Sequence, residues 1–284
     1  MEYRLSTQTF SLPRRSVLGG HLPSPCSVGP DACPSQCGGK LRGCTGKRHD
    51  LPADAELMAG VDPNRHVWFV RSGILRLQRH GFHGRRQVLS LTFAGEIIGY
   101  ETQLREGMSV VTATPCRVCK IEKREFDALL RAEPDLRKDF ILQQQAQLDL
   151  LLWLTWSIGS LRPDERFAAF LALSTRLMPY QPLSDGTGIL SILLPRLDIA
   201  DLLSTTVETI SRTSHRMAED GIIQIRDPFH FRILDMKRLI SLGQIGNFIE
   251  GFITPSTQNN RLNNLMGFIA SQSDSAGQSD SADR

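Results

Sequence analysis

The chain has 284 residues, 40% of them apolar, which is the composition of a globular protein and enough length for two domains with cores of their own. Collagen-like, mucin-like and coiled-coil compositions are excluded, and no apolar run approaches the ~18 residues of a membrane span, so no membrane partner is expected. A net charge of +3 is too small to imply nucleic acid by itself, and the placement of single basic residues must decide that question.

Residues 1–49 form an N-terminal extension. Arg4, Arg14 and Arg15 occur in Met1–Leu22, but the continuous apolar core of a secretory signal is missing, and a cytoplasmic location is expected. The six cysteines are then expected as reduced thiols, metal ligands or redox sensors rather than structural disulfides. The extension is rich in Pro, Gly, Ser and Cys and lacks periodicity, which reads as a loop needing an external constraint to order. Cys26, Cys33, Cys37 and Cys44 are separated by six, three and six residues. A compact loop can bring such thiolates around one metal centre, although the C-x2-C pairs usual for structural zinc are absent. Metal ligands and plain exposed thiols both remain open at this stage.

Residues 50–134 change texture to short alternating runs punctuated by Gly, Pro and Asp. Strands are predicted at Val67–Val70, Ile74–Leu77, Val88–Phe93, Ser109–Thr114 and Val118–Ile121. Such strands at regular spacing predict a small double-layered β-roll or jelly roll. Cys116 lies three residues before Cys119, and strand alternation points the two thiols to opposite faces.

Residues 135–158 form a long helix. Ile141, Gln145, Leu148, Leu152 and Thr155 follow one stripe at roughly heptad spacing, and Leu150, Leu151, Trp153, Leu154 and Trp156 crowd the adjacent faces. A helix this apolar belongs either in a core or in an interface between two copies of the chain. Asp149 is the only acid from Phe140 to Trp156, so charge repulsion hardly opposes pairing.

Residues 159–240 carry a predicted winged helix-turn-helix. Leu161–Leu177 is helical with Pro163 suited to its first turn, Met178–Gly188 is a loop, and Ile189–Leu194 is a strand. Asp198 opens a short helix with Ile199, Leu202 and Leu203 on one face and Asp201 on the other. Ser204, Thr205 and Thr206 interrupt it and supply the next N-cap. The second helix, Val207–Met217, buries Val207, Ile210 and Ser214 or Met217, and turns Glu208, Thr209, Ser211, Arg212, His215 and Arg216 outward. In the major groove Arg suits guanine O6 and N7, a carboxylate suits the cytosine amino group, and Ser is permissive. Glu208 and Arg212, four apart, can address one base pair. Gly221 ends the helix; Ile222, Ile223 and Ile225 make a strand, Asp227-Pro228 turns it, and Phe231 and Ile233 return. Residues 241–284 are a tail without an assigned function, with Ser271–Arg284 read as disordered.

Three stretches resemble the CRP/FNR superfamily of transcription factors. T-V-E-T-I-S-R, Thr206 to Arg212, resembles the recognition helix of its fumarate-nitrate reduction (FNR) branch, while V-R-S-G (Val70–Gly73) and A-G-E-I-I-G (Ala94–Gly99) look like its effector domain. The resemblance implies an α+β chain: a β-roll (jelly-roll) effector domain, a long dimerisation helix and a C-terminal winged helix-turn-helix. It implies a homodimer on double-stranded DNA, with Glu208, Ser211 and Arg212 reading TTGAT-like half-sites beside Thr206, Thr209, His215 and Arg216, and RNA polymerase as a further partner. The hairpin His80–Arg86, a polymerase-facing candidate, is basic. V-C-K-I places Cys119 where FNR keeps the fourth ligand of an iron-sulfur cluster, so the resemblance implies a 4Fe-4S cluster on Cys33, Cys37, Cys44 and Cys119, with Cys26 as the spare.

Two features depart from FNR: the cysteine spacing is looser, and only a short stretch separates Cys44 from the first roll strand. The competing expectation keeps the fold and replaces the cluster by thiol oxidation, or by no sensor, as in FixK-like relatives. Cyclic-nucleotide members hold the ligand's phosphate with an Arg-Ser pair where this chain has Glu106 and Gly107; a carboxylate there repels phosphate, so no cyclic nucleotide is expected. An enzyme is not expected either, since no nucleophile–base pair, nucleotide-binding glycine loop or histidine cluster is visible.

Overall fold

The structure is a computed structural model, and it describes residues 47–59, 65–100, 104, 106–132, 134–246 and 248–249. Among the described residues eight strands build the N-terminal roll: β1 (Lys47–Leu51), β2 (Glu56–Ala59), β3 (His66–Ser72), β4 (Leu75–His80), β5 (Arg86–Thr92), β6 (Ile97–Ile98), β7 (Met108–Thr112) and β8 (Cys116–Glu122). They pair antiparallel in two four-stranded sheets of order β1-β8-β3-β6 and β2-β7-β4-β5, a jelly-roll arrangement. Met58, Trp68, Val70, Leu75, Val110 and Val118 come from both sheets and form the roll interior. The tight turn between β3 and β4 requires Gly73, at φ +87°, because a Cβ there would lie 2.4 Å from the Pro115 carbonyl oxygen.

Besides the two-residue β6, which was not predicted either, β1 and β2 lie where the sequence offered no alternation. The first described strand starts at Lys47, inside the predicted N-terminal extension, and β2 follows in a stretch read as turn-rich. Both are short, five and four residues long, so only pairing along β8 and β7 defines them.

Helix α1 (Lys123–Ala132) leads into α2 (Pro134–Ser160), the predicted long helix, and Leu130, Leu136 and Phe140 seal the outer face of the first sheet. Further along α2, Ile141, Leu148, Leu151, Leu152 and Trp156 are 58%, 53%, 40%, 58% and 46% exposed, so this stripe is not core within one chain.

The C-terminal domain keeps the predicted order and adds β9 and α6 to it: α3 (Pro163–Leu177), β9 (Tyr180–Pro182), β10 (Gly188–Ser191), α4 (Arg196–Leu202), α5 (Val207–Glu219), β11 (Ile223–Ile225), β12 (His230–Ile233) and α6 (Met236–Leu242). The stretch expected as a loop contains β9, which completes a four-stranded sheet of order β11-β12-β10-β9. Phe167, Leu171, Leu190, Ile199, Ile210 and Phe231 are fully enclosed, each such side chain stabilising the fold by roughly 1.5–3 kcal/mol. The same core continues into the roll through Ile74, Val88, Leu91 and Phe93, so the two domains share apolar contact.

The tail departs from expectation at its start. Ile245 and Ile249 are buried in the C-terminal core, and Phe248 stacks on Trp153 of α2 with ring centroids 5.5 Å apart. Gly243 allows this close return, since a Cβ there would lie 2.6 Å from the Ala169 backbone of α3. The segment Ser271–Arg284 lies outside the described residues.

Candidate nucleic-acid interface

The reading helix α5 starts as its sequence dictates. Thr206 is extended at φ −114° and ψ 154°, and its Oγ1 accepts a hydrogen bond from the Thr209 backbone N–H at 3.1 Å, satisfying one orphan donor of the first turn. Ile210, Thr213, Ser214 and Met217 face the core, and the Ser214 hydroxyl donates to the Ile210 carbonyl at 2.7 Å. Val207, expected in the core, is 41% exposed: it is the first residue of the helix, ahead of the turn that packs against α4.

Glu208, Ser211, Arg212, His215 and Arg216 are exposed on the opposite face, and Thr209 is half-buried beside them. No ion pair joins Glu208 to Arg212; instead Arg212 Nη2 lies 3.4 Å from Thr209 Oγ1, which is 3.0 Å from Thr206 Oγ1. The N-cap and the outward arginine are thus linked by one chain of hydroxyls. Arg216 is held differently, its Nη2 2.7 Å from Asp164 Oδ2 at the start of α3. It braces α5 against α3, a role its position on the outward face did not announce.

The wing is β11 and β12 with a turn fixed by Asp227. Its carboxylate accepts hydrogen bonds from the Phe229 and His230 backbone N–H groups at 2.8 and 2.9 Å and meets His230 Nδ1 at 2.7 Å. The Phe229 N–H bond foremost, followed by the His230 contacts, holds the Asp227 carboxyl below the usual carboxylate range. Arg226 and Phe229 are exposed at the wing tip.

Asp198, expected only to open a helix, lies inside α4, which begins at Arg196 with Pro195 as its N-cap. Its side chain is 2% exposed and ion-paired to Arg76 and Arg86 of the roll. Nothing in local periodicity marks this. The one available signal was a carboxylate flanked by Leu197, Ile199 and Leu202 on a mostly apolar helix.

Among the cysteine candidates, Cys33, Cys37, Cys44 and Cys26 lie outside the described residues. Cys119 is described and 2% exposed, in the cluster with Val67, Phe69, Ile121 and Phe126 on the outer face of the roll, under α1. Cys116 points the other way, into the roll interior, as alternation required. Its thiol donates to the Ile74 and Thr114 carbonyls at 3.4 and 3.1 Å, and burial pushes its pKa up. Among the described residues no group of three His, Cys, Asp or Glu side chains is arranged to hold a metal ion, and no helix is long and apolar enough to cross a membrane. In the sheet Cys119 lies between Arg48 of the edge strand β1 and Phe69 of β3, and β1 follows the predicted cysteine loop in the sequence.

Comparison with known proteins agrees with this architecture. The pattern of the Crp-like helix-turn-helix domain matches residues 165–242, and that of the cyclic nucleotide-binding domain matches residues 48–133. The chain is 31% identical over 182 residues to the transcriptional activatory protein AadR of Rhodopseudomonas palustris, covering 62% of this chain and 72% of that one. It is 30% identical over 188 residues to the nitrogen fixation regulation protein FixK of Rhizobium meliloti, covering 66% and 82%. The solved structure of FixK2 from Bradyrhizobium japonicum shares the fold, with a TM-score of 0.61 at 19% identity over 69% of this chain and 96% of that one. A jelly roll joined by a long helix to a winged helix-turn-helix, with this level of identity along most of a relative's length, places the chain in the CRP/FNR family of DNA-binding transcription regulators, in its FixK/FNR branch.

Proposed function

We propose that the chain is a homodimeric transcriptional activator that binds TTGAT-like inverted repeats in the cytoplasm, works with RNA polymerase, and responds to oxygen or redox state. The observation that carries the DNA reading is the exposed set Glu208, Ser211 and Arg212, with no ion pair between Glu208 and Arg212, on the first two turns of a capped helix. That is where a helix entering the major groove meets base edges, while Thr206, Thr209, His215 and Arg216 flank it. Activation is proposed from the names of AadR and of its relatives among activators. The basic hairpin between β4 and β5, with Phe82 wholly exposed at its tip, is the proposed polymerase-facing element.

Dimerisation is proposed through α2. Five large apolar side chains along one side of a helix are costly to leave in water, and a second copy of the same stripe covers them by two-fold symmetry. The pairing would set two reading helices one DNA turn apart, hence an inverted repeat. Leu152→Glu puts a charge at the centre of that seam; sedimentation should show monomer, with affinity for the repeat falling more than affinity for a single half-site.

For the sensor, we propose a 4Fe-4S cluster on Cys33, Cys37, Cys44 and Cys119, with Cys26 spare. Cys119 fits in position. Cys44 is three residues upstream of Lys47 in the sequence, and Lys47 pairs with Lys120, the neighbour of Cys119, so at most about 10 Å of chain separates Cys44 from the strand paired beside Cys119. When bound, such a cluster supplies an oxygen-labile tether between loop and roll. The chain's own part is to bring the loop in along β1 and to screen Cys119 from solvent with Phe69 and Phe126. That same enclosure favours a second reading, a FixK-like regulator without a cluster, in which Cys119 is a core residue and control rests on thiol oxidation or abundance. A cyclic nucleotide is not proposed, because Glu106 presents an exposed carboxylate at the start of β7 where a phosphate would need donors.

Iron and acid-labile sulfide, measured with the visible spectrum on protein purified without oxygen, separate the two. About four of each per chain, bleaching in air, supports the cluster; neither, in protein that still binds the repeat, leaves the cluster-free regulator. Equal affinity for the repeat and for random DNA would remove the sequence-reading function altogether.

A further inference from the structure

The helix-turn-helix is joined to the roll by a cluster of charges that base reading does not require. Arg86 of β5 lies between two carboxylates of α4, with Nη2 2.5 Å from Asp198 Oδ1 and Nε 2.6 Å from Asp201 Oδ2. Arg76 of β4 reaches Asp198 from the other side, Nη1 to Oδ2 at 2.8 Å, and its Nη2 meets Asp54 Oδ1 at 2.5 Å. Gln78 accepts from Arg76 Nε at 2.9 Å. Gln87 extends the contact along the chain: its Nε2 donates to the Asp201 carbonyl at 2.5 Å, and its Oε1 accepts from the Ser204 hydroxyl at 3.0 Å. Ser204, at φ +50°, is in the turn two residues before the Thr206 cap. The two roll strands therefore hold both the supporting helix and the turn that launches the reading helix.

Apolar packing beside this junction is incomplete. A cavity of about 290 Å³ lies beside it, lined by Leu91 and Phe93 of the roll, Leu151 and Leu154 of α2, and Leu173 and Leu202 of the C-terminal domain. The charges, in contrast, tolerate little sliding. Asp198 and Arg76 side chains are 2% and 5% exposed, and buried charges are stable only with their partners in place. We infer that Arg86, Asp198 and Asp201 are positioning residues that fix the angle of α5 relative to the roll, and through it the spacing of the two reading helices in the dimer. This rests on the proposed reading by Glu208, Ser211 and Arg212.

The test uses the full chain and two duplexes, a TTGAT inverted repeat and a random sequence of equal length, with affinities read at one salt concentration and folded fraction checked by thermal unfolding. Asp201→Asn makes the chain more positive, so charge alone predicts tighter binding to both duplexes. Positioning predicts the opposite for the repeat: about 5- to 150-fold weaker binding, the range typical of coupling between sites, with random DNA bound no less tightly. Arg86→Gln should show the same selective loss, and Arg86→Gln with Asp201→Asn no more than either alone. Arg85→Gln removes an equal charge from the exposed hairpin and should weaken both duplexes alike. Repeat binding by Asp201→Asn as tight as the parent, or Arg86→Gln indistinguishable from Arg85→Gln, overturns the inference. Arg212→Ala reports on base reading separately. Loss there with none in Asp201→Asn removes the clamp alone, whereas loss in Asp201→Asn without loss in Arg212→Ala keeps the clamp and moves the base contacts elsewhere on the domain.

Discussion

Helices α4 and α5 are neighbours in the chain, both amphipathic and both carrying acids, yet their charges serve opposite ends. On α4, Asp198 and Asp201 turn inward to Arg76 and Arg86 of the roll; on α5, Glu208 and Arg212 stay exposed and without each other. A charge that is buried and paired fixes a geometry. A charge left in water is available to a partner, and the same side-chain chemistry gives structure in the first case and recognition in the second.

The sharpest way to break this contrast is to remove a charge from each helix and compare stability with DNA affinity. Asp198→Ala removes the most deeply buried carboxylate from between Arg76 and Arg86, leaving them only the more exposed Asp54 and Asp201, and should lower unfolding free energy by about 3–5 kcal/mol in a denaturant titration. Arg212→Ala should leave that titration unchanged while costing ~1–3 kcal/mol of binding to the repeat and relaxing preference at the guanine position. Equal loss on all sequences would show that Arg212 contacts phosphate rather than a base.

Between these lie changes that touch the frame of the domain. Gly243→Ala forces a methyl into the Ala169 backbone of α3 and should destabilise by roughly 1–3 kcal/mol, with the Trp153–Phe248 stacking disturbed in the near-ultraviolet spectrum. Thr206→Ala removes the cap and the start of the hydroxyl chain to Arg212, costing about 1 kcal/mol of stability with a modest loss of affinity.

The smallest effect expected is at the wing. Asp227 has its carboxyl held below its ordinary value of 3.8, so its stabilisation of the turn is present above that pH and is lost as pH falls through the lowered value. Amide exchange at Phe229 and His230 should rise in that window, and Asp227→Asn should abolish the dependence.

How legible the molecule was depends on how local each signal is. The N-cap at Thr206, the inward Ile210 and Met217, the outward Glu208, Ser211 and Arg212, and the wing turn at Asp227 all follow from side chains within a few residues of each other. Val207 was misplaced because helix periodicity does not say which first-turn residue lies ahead of the packing contact. Strands β1, β2, β6 and β9 were missed because each is short and is defined by its pairing partner rather than by its own alternation.

By itself, then, the sequence determined the order of roll, long helix and winged helix-turn-helix, and the face of α5 that looks outward, because periodicity, caps and turns are written in neighbouring residues. Only the tertiary structure decided that Asp198 is joined to Arg76 and Arg86, 122 and 112 residues away, that Arg216 braces α3, that Ile245 and Phe248 return to the core, and that the stripe on α2 is left open. Those outcomes depend on which surfaces meet when the two domains close on each other, and no local pattern in the chain records that meeting.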